Sequence, residues 1–318
     1  MRGLNKDVTN TSKSLGLSGR TVHASSGGFD MDVRKAPSIK FSVLMSVYHR
    51  ESPKYLAQSL DSLVAQTRLA DEVVIVKDGV LGSELDQVIS RYSEKVPIVT
   101  LDLQVNRGLG RALRAGVEHC RFEWIARMDS DDICLPGRFE QQSAFLEIHP
   151  EIDVLGSSIS EFDCDPRSQV SLRRLPEEDS AIRSFSKFRN PVNHMTVMFR
   201  KQAVLEAGNY QEVTGFEDYD LWVRMLMLGA RFHNLQEPLI LVRCGNGMQR
   251  RRGGLGYLRR ELRLLRSFHA SGFISTFELA QNALLRAPAR MVPASIRAEM
   301  YRRFLRNKVV PARMSATS

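Results

Sequence analysis

Short apolar runs alternate with amphipathic segments along the first half of the chain. Phe41 to Val47 and Val73 to Val76 are mainly apolar and of strand length, and the apolar residues between Pro53 and Ala65 recur with a helical spacing. The alternation continues through a helix at about 83–92, a strand Val96–Leu103, a helix Gly110–Cys120, and strands Trp124–Met128 and Asp153–Ile159. This pattern predicts an α/β fold with a mostly parallel central sheet flanked by helices.

The pattern is less regular after residue 160. Val197 to Phe199 predicts a strand, Tyr219 to Leu228 predicts a helix, and Leu255 to Phe268 predicts an amphipathic helix. The expected apolar face of this last helix consists of Leu255, Leu258, Leu262 and Leu265.

Composition divides the chain into three predicted parts. Residues 1–38 are rich in Ser, Thr, Gly and Asn without hydrophobic periodicity, so we expect a flexible leader. Residues 39–245 hold the predicted α/β domain, and residues 246–318 a basic region with amphipathic helices.

Several features bear on where the protein resides. The chain has no uninterrupted apolar run of about 18 residues that could cross a bilayer, and its beginning lacks an apolar signal-peptide core. The four cysteines lack a paired spacing. We therefore expect a cytoplasmic protein without a cysteine metal site.

The net charge of +9 is concentrated at one end. From Arg243 onward, the chain contains 16 Lys and Arg residues and only 3 acidic residues. Nucleic acid, anionic lipid and anionic substrates are all attracted by such a patch. The region carries no nucleic-acid motif or regularly interleaved aromatic residues, so we do not expect nucleic acid as a partner.

One stretch of this basic region favours lipid. Ile296, Met300 and Phe304 recur every four positions, and the flanking basic residues are Arg297, Arg302, Arg303 and Arg306. This pattern predicts an interfacial helix that docks peripherally on the anionic inner face of the cell membrane. The alternative is a helix that packs its apolar stripe on the α/β domain.

The run from Arg127 to Asp132 holds three carboxylates directly after a predicted strand. Such carboxylates repel one another unless a divalent cation neutralises them. Because residues i and i+2 of an extended backbone point to one side, Asp129 and Asp131 can face the same ion. The alternative is an acidic turn before Pro136.

Two other predicted strands end in polar residues. Asp78 precedes Gly79 and is placed either to bind a base or ribose, or simply to make an Asp-Gly turn. Asn106 and Arg107 lead through glycines into a helix, which suits a phosphate. Because Leu113 occupies the last position of GxGxxG, this is not a dinucleotide fingerprint.

Further candidates lie later in the chain. Glu217 and Asp218 begin a predicted helix and are either helix-capping acids or a general base with its helper. His194 is either structural or a ligand for a pyrophosphate or acceptor. Arg251 and Arg252 are either solvated charges or ligands for a diphosphate.

Taken in chain order, these motifs resemble the inverting family 2 glycosyltransferases with the GT-A fold. The resemblance spans about 40–270 and is greatest to bacterial enzymes of exopolysaccharide, capsule or O-antigen biosynthesis. It rests on Ser46, Val47, Tyr48, Glu51, Asp78, Asn106 to Gly110, Asp129 to Asp131, His194, and Glu217 with Asp218.

The resemblance implies roles for individual residues. Asp218 would be the catalytic base, supported by Glu217, and Asp129 and Asp131 would hold the ribose and a Mg²⁺ or Mn²⁺ ion. The residues implied to bind the donor nucleotide are Ser46, Tyr48, Glu51, Asp78, Asn106, Arg107, Arg127 and Asp129. Arg127 and Arg138 would steady the acidic loop or the phosphates.

The resemblance also implies a reaction. One sugar would pass from a nucleotide-diphospho-sugar, commonly UDP-linked, to an acceptor hydroxyl with inversion, and the acceptor would be a lipid-linked saccharide. Processive relatives carry QxxRW, but Gln249 to Gly253 has Gly where Trp belongs, which favours transfer of a single sugar.

Two other functions are compatible with parts of the sequence. A sugar nucleotidyltransferase would carry a glycine-rich, lysine-bearing loop after the first strand, where this chain has Tyr48 to Glu51. A non-catalytic protein that binds nucleic acid or an anionic surface through the basic region is the third possibility.

Overall fold

The computed structural model describes residues 39–244 and 253–292. The leader predicted at 1–38, the pair Arg251 and Arg252, and the interfacial helix predicted around 296–306 lie outside these residues and stay predictions. Within the described residues, no helix is both long enough and apolar enough to cross a membrane.

The first half of the chain alternates strands and helices as predicted. Its elements are β1 Phe41–Val47, α1 Pro53–Val64, β2 Glu72–Asp78, α2 Ser83–Ser93, β3 Ile98–Leu103, α3 Leu109–His119 and β4 Trp124–Met128. The third strand starts at Ile98, two residues later than the predicted start at Val96.

The second half contains shorter and more varied elements. They are β5 Ile133–Cys134, α4 Arg138–Ile148, β6 Val154–Phe162, β7 Gln169–Arg173, α5 Asp179–Ser186, β8 Met198–Arg200, α6 Lys201–Glu206, α7 Glu217–Met227, β9 Phe232–Arg243, α8 Gly254–Ala270 and α9 Thr276–Met291. A single 3-10 turn, His194–Thr196, precedes β8.

The strands form one mixed sheet in the order β3-β2-β1-β4-β8-β6-β9-β5, with β7 beside β6. Strands β1 to β4 pair in parallel, and β8 runs antiparallel between β4 and β6. Strand β6 therefore runs in the direction of β4, and β9 is parallel to β6. The carboxyl ends of β1, β2, β4 and β9 consequently share one edge, where ligands of such sheets gather.

Helices cover both faces of the sheet. One apolar cluster joins the strands to α1, α2 and α4, and the other joins them to α3, α6 and α7. Gly116 lets α3 approach the sheet closely, since a Cβ there would lie 2.9 Å from the Val76 side chain. This close packing fixes the start of α3 at the same sheet edge.

Helix α4 was not predicted because its buried face mixes polar and apolar residues. Arg138 and Gln142 are fully buried on it. The Gln142 amide donates hydrogen bonds to the carbonyl oxygens of Leu155 (3.3 Å) and Thr196 (2.8 Å). Because polar residues occupy part of this face, its apolar residues do not recur with the regular helical spacing that predicts the other helices.

The predicted apolar face of α8 is wrong at Leu255, which is exposed. The buried residues are instead Tyr257, Leu258, Glu261, Leu264, Leu265 and Phe268. Aromatic contacts with the start of α7 determine which face of α8 is buried. Tyr257 lies 5.0 Å from Phe216 and Phe268 lies 5.1 Å from Tyr219, measured between ring centroids.

A buried ion cluster joins α8 to α9. The Glu261 carboxylate is buried and accepts from Arg286 (2.8 Å) and from Arg290 (2.7 Å). Arg286 also donates to the carbonyl oxygen of Phe188. Ser275 and Glu278 form a capping box at the start of α9. The hairpin of α8 and α9 is therefore fixed to the α/β domain.

The Glu261→Ala variant tests this cluster. Removing the carboxylate takes away the buried partner that Arg286 and Arg290, both largely shielded from solvent, share, so we expect the free energy of unfolding to fall by about 3 kcal/mol. Urea denaturation measures the change. The matched control is Glu94→Ala at an exposed position, which we expect to change stability by less than about 0.5 kcal/mol. A loss below about 1 kcal/mol in the Glu261 variant would contradict this account of the hairpin.

Candidate active site

Three carboxylates meet in the loop after β4. Ligand oxygens of Asp129, Asp131 and Asp132 lie within 4.8 Å of one another. Burial, and then the charges of Asp129 and Asp131, raise the pKa of the Asp132 carboxyl well above its usual range. A cluster of oxygen ligands with this much negative charge fits Mg²⁺ or Mn²⁺. The residues present therefore suit the predicted metal.

Arg243, the last residue of β9, holds this loop. Its Nε donates to the carbonyl oxygen of Asp131 (3.2 Å), and its backbone N–H donates to the Asp132 carboxylate (3.0 Å). Its guanidinium lies 3.9 Å from the ring centroid of Tyr55. Sequence analysis missed Arg243 because 111 positions separate it from Asp132. The only indication in the sequence is that Arg243 ends an apolar run of strand length, where site residues are often found.

Arg138 supports the loop from within the protein. Its Nη2 donates to the carbonyl oxygen of Arg127 (2.8 Å), and its Nε donates to Gln142 (3.0 Å). The fully buried side chain thus holds the end of β4, two residues before Asp129, and its predicted role toward the acidic loop or the phosphates stays a prediction.

Arg127 is buried beside the same loop. Its Nη2 pairs with the Asp129 carboxylate. Within the part of the chain that the structure describes, Nε and Nη1 of Arg127 have no hydrogen-bond partner. Buried N–H groups are nearly always paired, so these two are suited to an oxygen-rich ligand such as phosphate.

The end of β1 lies next to the acidic loop. Glu51 accepts a hydrogen bond from the Ser130 hydroxyl at 2.5 Å, which links the predicted nucleotide pocket to the acidic loop. Ser46 is half-buried near the end of β1, and Tyr48, which follows the strand, is 39% exposed. All three predicted nucleotide residues of this segment therefore lie at the shared sheet edge.

Asp78, at the end of β2, organises a neighbouring loop. Its two carboxylate oxygens accept from the backbone N–H groups of Arg107 (2.7 Å) and Gly108 (3.0 Å). Gly79 has a φ of +87°, and a Cβ there would lie 2.7 Å from the Asn106 nitrogen. The buried Asp78 thus positions the loop, whereas the Asn106 and Arg107 side chains are exposed.

Glu217 and Asp218 are the first two residues of α7. The Asp218 carboxylate accepts from the Asn190 amide at 2.6 Å, and the Glu217 carboxylate accepts from the Gly215 backbone at 2.9 Å. Burial raises the pKa of the Glu217 carboxyl. Gly110 allows α3 to reach this pair, since a Cβ there would lie 2.9 Å from Glu217 Cγ. Sequence analysis missed Asn190, which no motif marks.

His194 lies in an aromatic cluster at the back of the site. Its Nε2 is 2.8 Å from the Tyr210 hydroxyl, and its ring packs edge-on to Trp222. Burial, and then the charge of Arg127, lower the pKa of His194 well below its usual range. The ring is therefore neutral at neutral pH and brings no positive charge to a phosphate.

The acidic loop and the α7 pair both act on Tyr210. Burial is the largest cause of the raised pKa of Tyr210, the charge of Arg127 lowers this pKa, and the charges of Asp218 and Asp129 raise it. Both carboxylates thus lie within electrostatic reach of one phenol. A second group of possible metal ligands, Glu177, Glu178 and His233, lies at the opposite end of β9 from Arg243. The glutamates of that second group are exposed.

Solved structures with the same fold are known. S. aureus TarS 1-349 in complex with UDP-GlcNAc matches with a TM-score of 0.57 at 19% identity, over 71% of this chain and 65% of that one. The mannosyltransferase PcManGT from Pyrobaculum calidifontis, in complex with GDP-Man and Mn²⁺, matches with a TM-score of 0.58 at 17% identity, over 84% and 76%. At these identities the likeness concerns the fold, and it confirms the predicted GT-A architecture.

Sequence relatives are closer. The chain is 41% identical over 264 residues to the amylovoran biosynthesis glycosyltransferase AmsE of Erwinia amylovora, which covers 82% of this chain and 97% of the relative. It is 34% identical over 267 residues to the Escherichia coli UDP-Gal:alpha-D-GlcNAc-diphosphoundecaprenol beta-1,3-galactosyltransferase, covering 84% and 97%. The model of the family "Glycosyl transferase family 2" matches residues 42–207. The chain belongs to glycosyl transferase family 2.

Proposed function

We propose that this protein transfers a single sugar from a UDP-linked sugar, the kind of donor named for one relative and one structure of the same fold, to a hydroxyl of a lipid-linked saccharide, with inversion. The observation that best supports this is the presence of two differently held carboxylate groups, one after β4 and one at the start of α7, that both lie within electrostatic reach of Tyr210. Asp129 and Asp131 lie on the loop after β4, and Asp218 lies at the start of α7. A direct displacement needs one group for the leaving diphosphate and another for the acceptor proton.

The donor side of the proposal rests on three features. Asp78 holds the loop that presents Asn106 and Arg107, Glu51 joins the end of β1 to the acidic loop, and Arg127 offers two unpaired donors to phosphate oxygens. The Escherichia coli relative is named for UDP-Gal, and the TarS structure contains UDP-GlcNAc. These names favour a UDP-sugar.

Asp129 and Asp131 would hold the divalent cation. When bound, the ion would stabilise negative charge on the departing nucleoside diphosphate, which removes the need for a proton donor on the leaving group. Around it, Arg243 and Arg138 fix the loop backbone, so the carboxylates need not reorganise during the reaction.

Asp218 would act as the general base. One of its carboxylate oxygens takes the proton of the acceptor hydroxyl while the hydroxyl oxygen of the acceptor forms a bond to the anomeric carbon. The bond from the anomeric carbon to the diphosphate oxygen breaks on the opposite side, which inverts the configuration. The Asn190 amide orients the Asp218 carboxylate. The negative charge of the neighbouring Glu217 favours uptake of the proton by Asp218.

The acceptor side is proposed from the relatives. The Escherichia coli enzyme is named for a sugar linked to diphosphoundecaprenol, and AmsE for amylovoran biosynthesis. A lipid-linked saccharide in surface polysaccharide biosynthesis follows by analogy, with the protein acting at the cytoplasmic face of the membrane. Peripheral contact with anionic lipid would bring the two together.

An assay of the purified chain against a panel of nucleotide sugars tests the whole proposal. The acceptor is a short-chain lipid-diphosphate sugar, and each reaction is run with and without EDTA. We expect transfer from one donor and its loss with EDTA. Consumption of a nucleoside triphosphate with release of pyrophosphate would instead identify a sugar nucleotidyltransferase.

The Asp131→Ala variant tests the metal assignment. Losing one ligand weakens metal binding by about 10- to 100-fold or more, so metal-dependent transfer should disappear while the fold stays intact. Titration of Mn²⁺ and donor binding by calorimetry measure the effect. Asp163→Ala, at an exposed position after β6, is the matched control. Wild-type donor affinity in the Asp131 variant would show that the metal is held elsewhere.

The Asp218→Asn variant tests the base. The amide keeps the shape of the side chain but cannot accept a proton, so turnover should fall by at least about a hundredfold while donor affinity stays within about twofold. Glu217→Gln provides the comparison, and we expect a smaller loss of kcat. If the larger loss occurred at Glu217, the two residues would exchange roles.

The Arg243→Lys variant tests the support of the acidic loop. Lysine lacks the planar guanidinium that reaches both Asp131 and Gln58, so the metal concentration for half-maximal activity should rise by about tenfold. Saturating Mn²⁺ should restore most of the turnover. Arg167→Lys on an exposed hairpin should change neither quantity. An unchanged metal requirement in the Arg243 variant would show that this contact is dispensable.

A further inference from the structure

The outer face of α9 is apolar and exposed. Phe277, Leu284 and Met291 are spaced seven residues apart, two turns of a helix, and therefore lie along one side. They are 77%, 75% and 58% exposed, and Leu285 beside them is 64% exposed. We call these four residues the outer face of α9. Single exposed apolar side chains are common, whereas a row of four on one helix marks a contact surface.

The inner face of α9 fixes the direction of this row. Asn282 is buried and donates to the carbonyl oxygen of Lys187 (3.0 Å), and Arg286 and Arg290 hold the buried Glu261. Glu278 pairs with Lys187 at 2.9 Å. The helix cannot turn its apolar residues inward without breaking these contacts. The outer face therefore stays directed away from α8.

The α8 and α9 hairpin carries more positive than negative charge. Residues 253–292 contain two acidic residues, Glu261 and Glu278, and both are paired with cations. On the adjacent helix α8, Arg259, Arg263 and Arg266 are exposed. Two copies of this chain pairing through this region would bring like charges together. Apolar side chains with neighbouring arginines suit an anionic lipid surface.

We infer that the outer face of α9 docks on an anionic membrane, with Phe277, Leu284, Leu285 and Met291 entering the interface and the exposed arginines of α8 adding a longer-range attraction to the anionic lipid. The inference rests on the proposed function, because a lipid-linked acceptor is presented at a membrane. It differs from the interfacial helix predicted around 296–306, since it concerns residues fixed to the α/β domain. The α8 and α9 hairpin also packs on the start of α7, so docking sets the position of Asp218 relative to the membrane.

Substitutions test this surface better than deletion does. Ending the chain before Arg290 would remove a partner of buried Glu261 and disturb the hairpin itself. The test variant is therefore F277S/L284S in the full chain. The control is I148S, which removes an exposed apolar side chain of 75% exposure from the end of α4.

Vesicle co-sedimentation provides the measurement. The wild type and I148S should bind vesicles of phosphatidylcholine with phosphatidylglycerol, and should bind pure phosphatidylcholine vesicles more weakly. For F277S/L284S we expect the partition coefficient on the anionic vesicles to fall by about tenfold or more. The variant R259Q/R263Q should weaken binding at low salt and lessen its salt dependence.

Equal binding of F277S/L284S and I148S at the same salt would overturn the inference and leave the residues after 292 as the anchor. A lower melting temperature of F277S/L284S without any change in vesicle binding would also overturn it, because the face would then be covered by the chain's own residues. Transfer to a short-chain acceptor without vesicles is measured on the same samples. Absence of transfer in the wild type would refute the proposed function, whatever the vesicle result.

Discussion

Everything at the candidate site depends on keeping three carboxylates together at the end of β4. Two unit charges 4.8 Å apart repel by about 3 kcal/mol at an effective dielectric constant of about 20. Three buried arginines offset this repulsion in different ways. Arg127 pairs with Asp129, Arg138 holds the backbone one residue before β4 ends, and Arg243 binds the loop from β9. The loop is thus preformed by the protein, and a metal would add to an arrangement that already exists.

The pair Glu217 and Asp218 depends on another part of the molecule. The residues next to it, Phe216 and Tyr219, pack against the aromatic rings of α8. The Tyr219 hydroxyl also donates to the carbonyl oxygen of Ser186 at 2.5 Å. One half of the site is therefore fixed by the sheet edge and the other by the α8 and α9 hairpin. A disturbance of the hairpin would affect proton transfer before it affected the acidic loop.

Sequence reasoning predicted β1 to β4 and α1 to α3 within about two residues, because each strand is a short apolar run and each helix has an apolar stripe. It failed at α4, whose buried face carries Arg138 and Gln142. It also identified most residues of the candidate site, through their places after strands and through the family resemblance. Arg243 and Asn190 could not be found in this way, because their partners are distant in sequence. The loop-holding role of Asp78 depends on backbone groups 29 and 30 positions away, which no motif encodes.

The buried Glu261 bears on the orientation of α9 as well as on stability. Ion pairs taken out of water gain little over well-packed apolar residues of the same volume, whereas removing one partner is costly. Apolar substitutes for Glu261, Arg286 and Arg290 could keep the hairpin together, but they would allow α9 to rotate or slide against α8. The ion cluster permits one arrangement only, because each arginine must meet the same carboxylate. That arrangement directs the outer face of α9 away from α8 and sets the packing of α8 against the start of α7. A single buried carboxylate therefore connects the proposed membrane contact to the position of the proposed base.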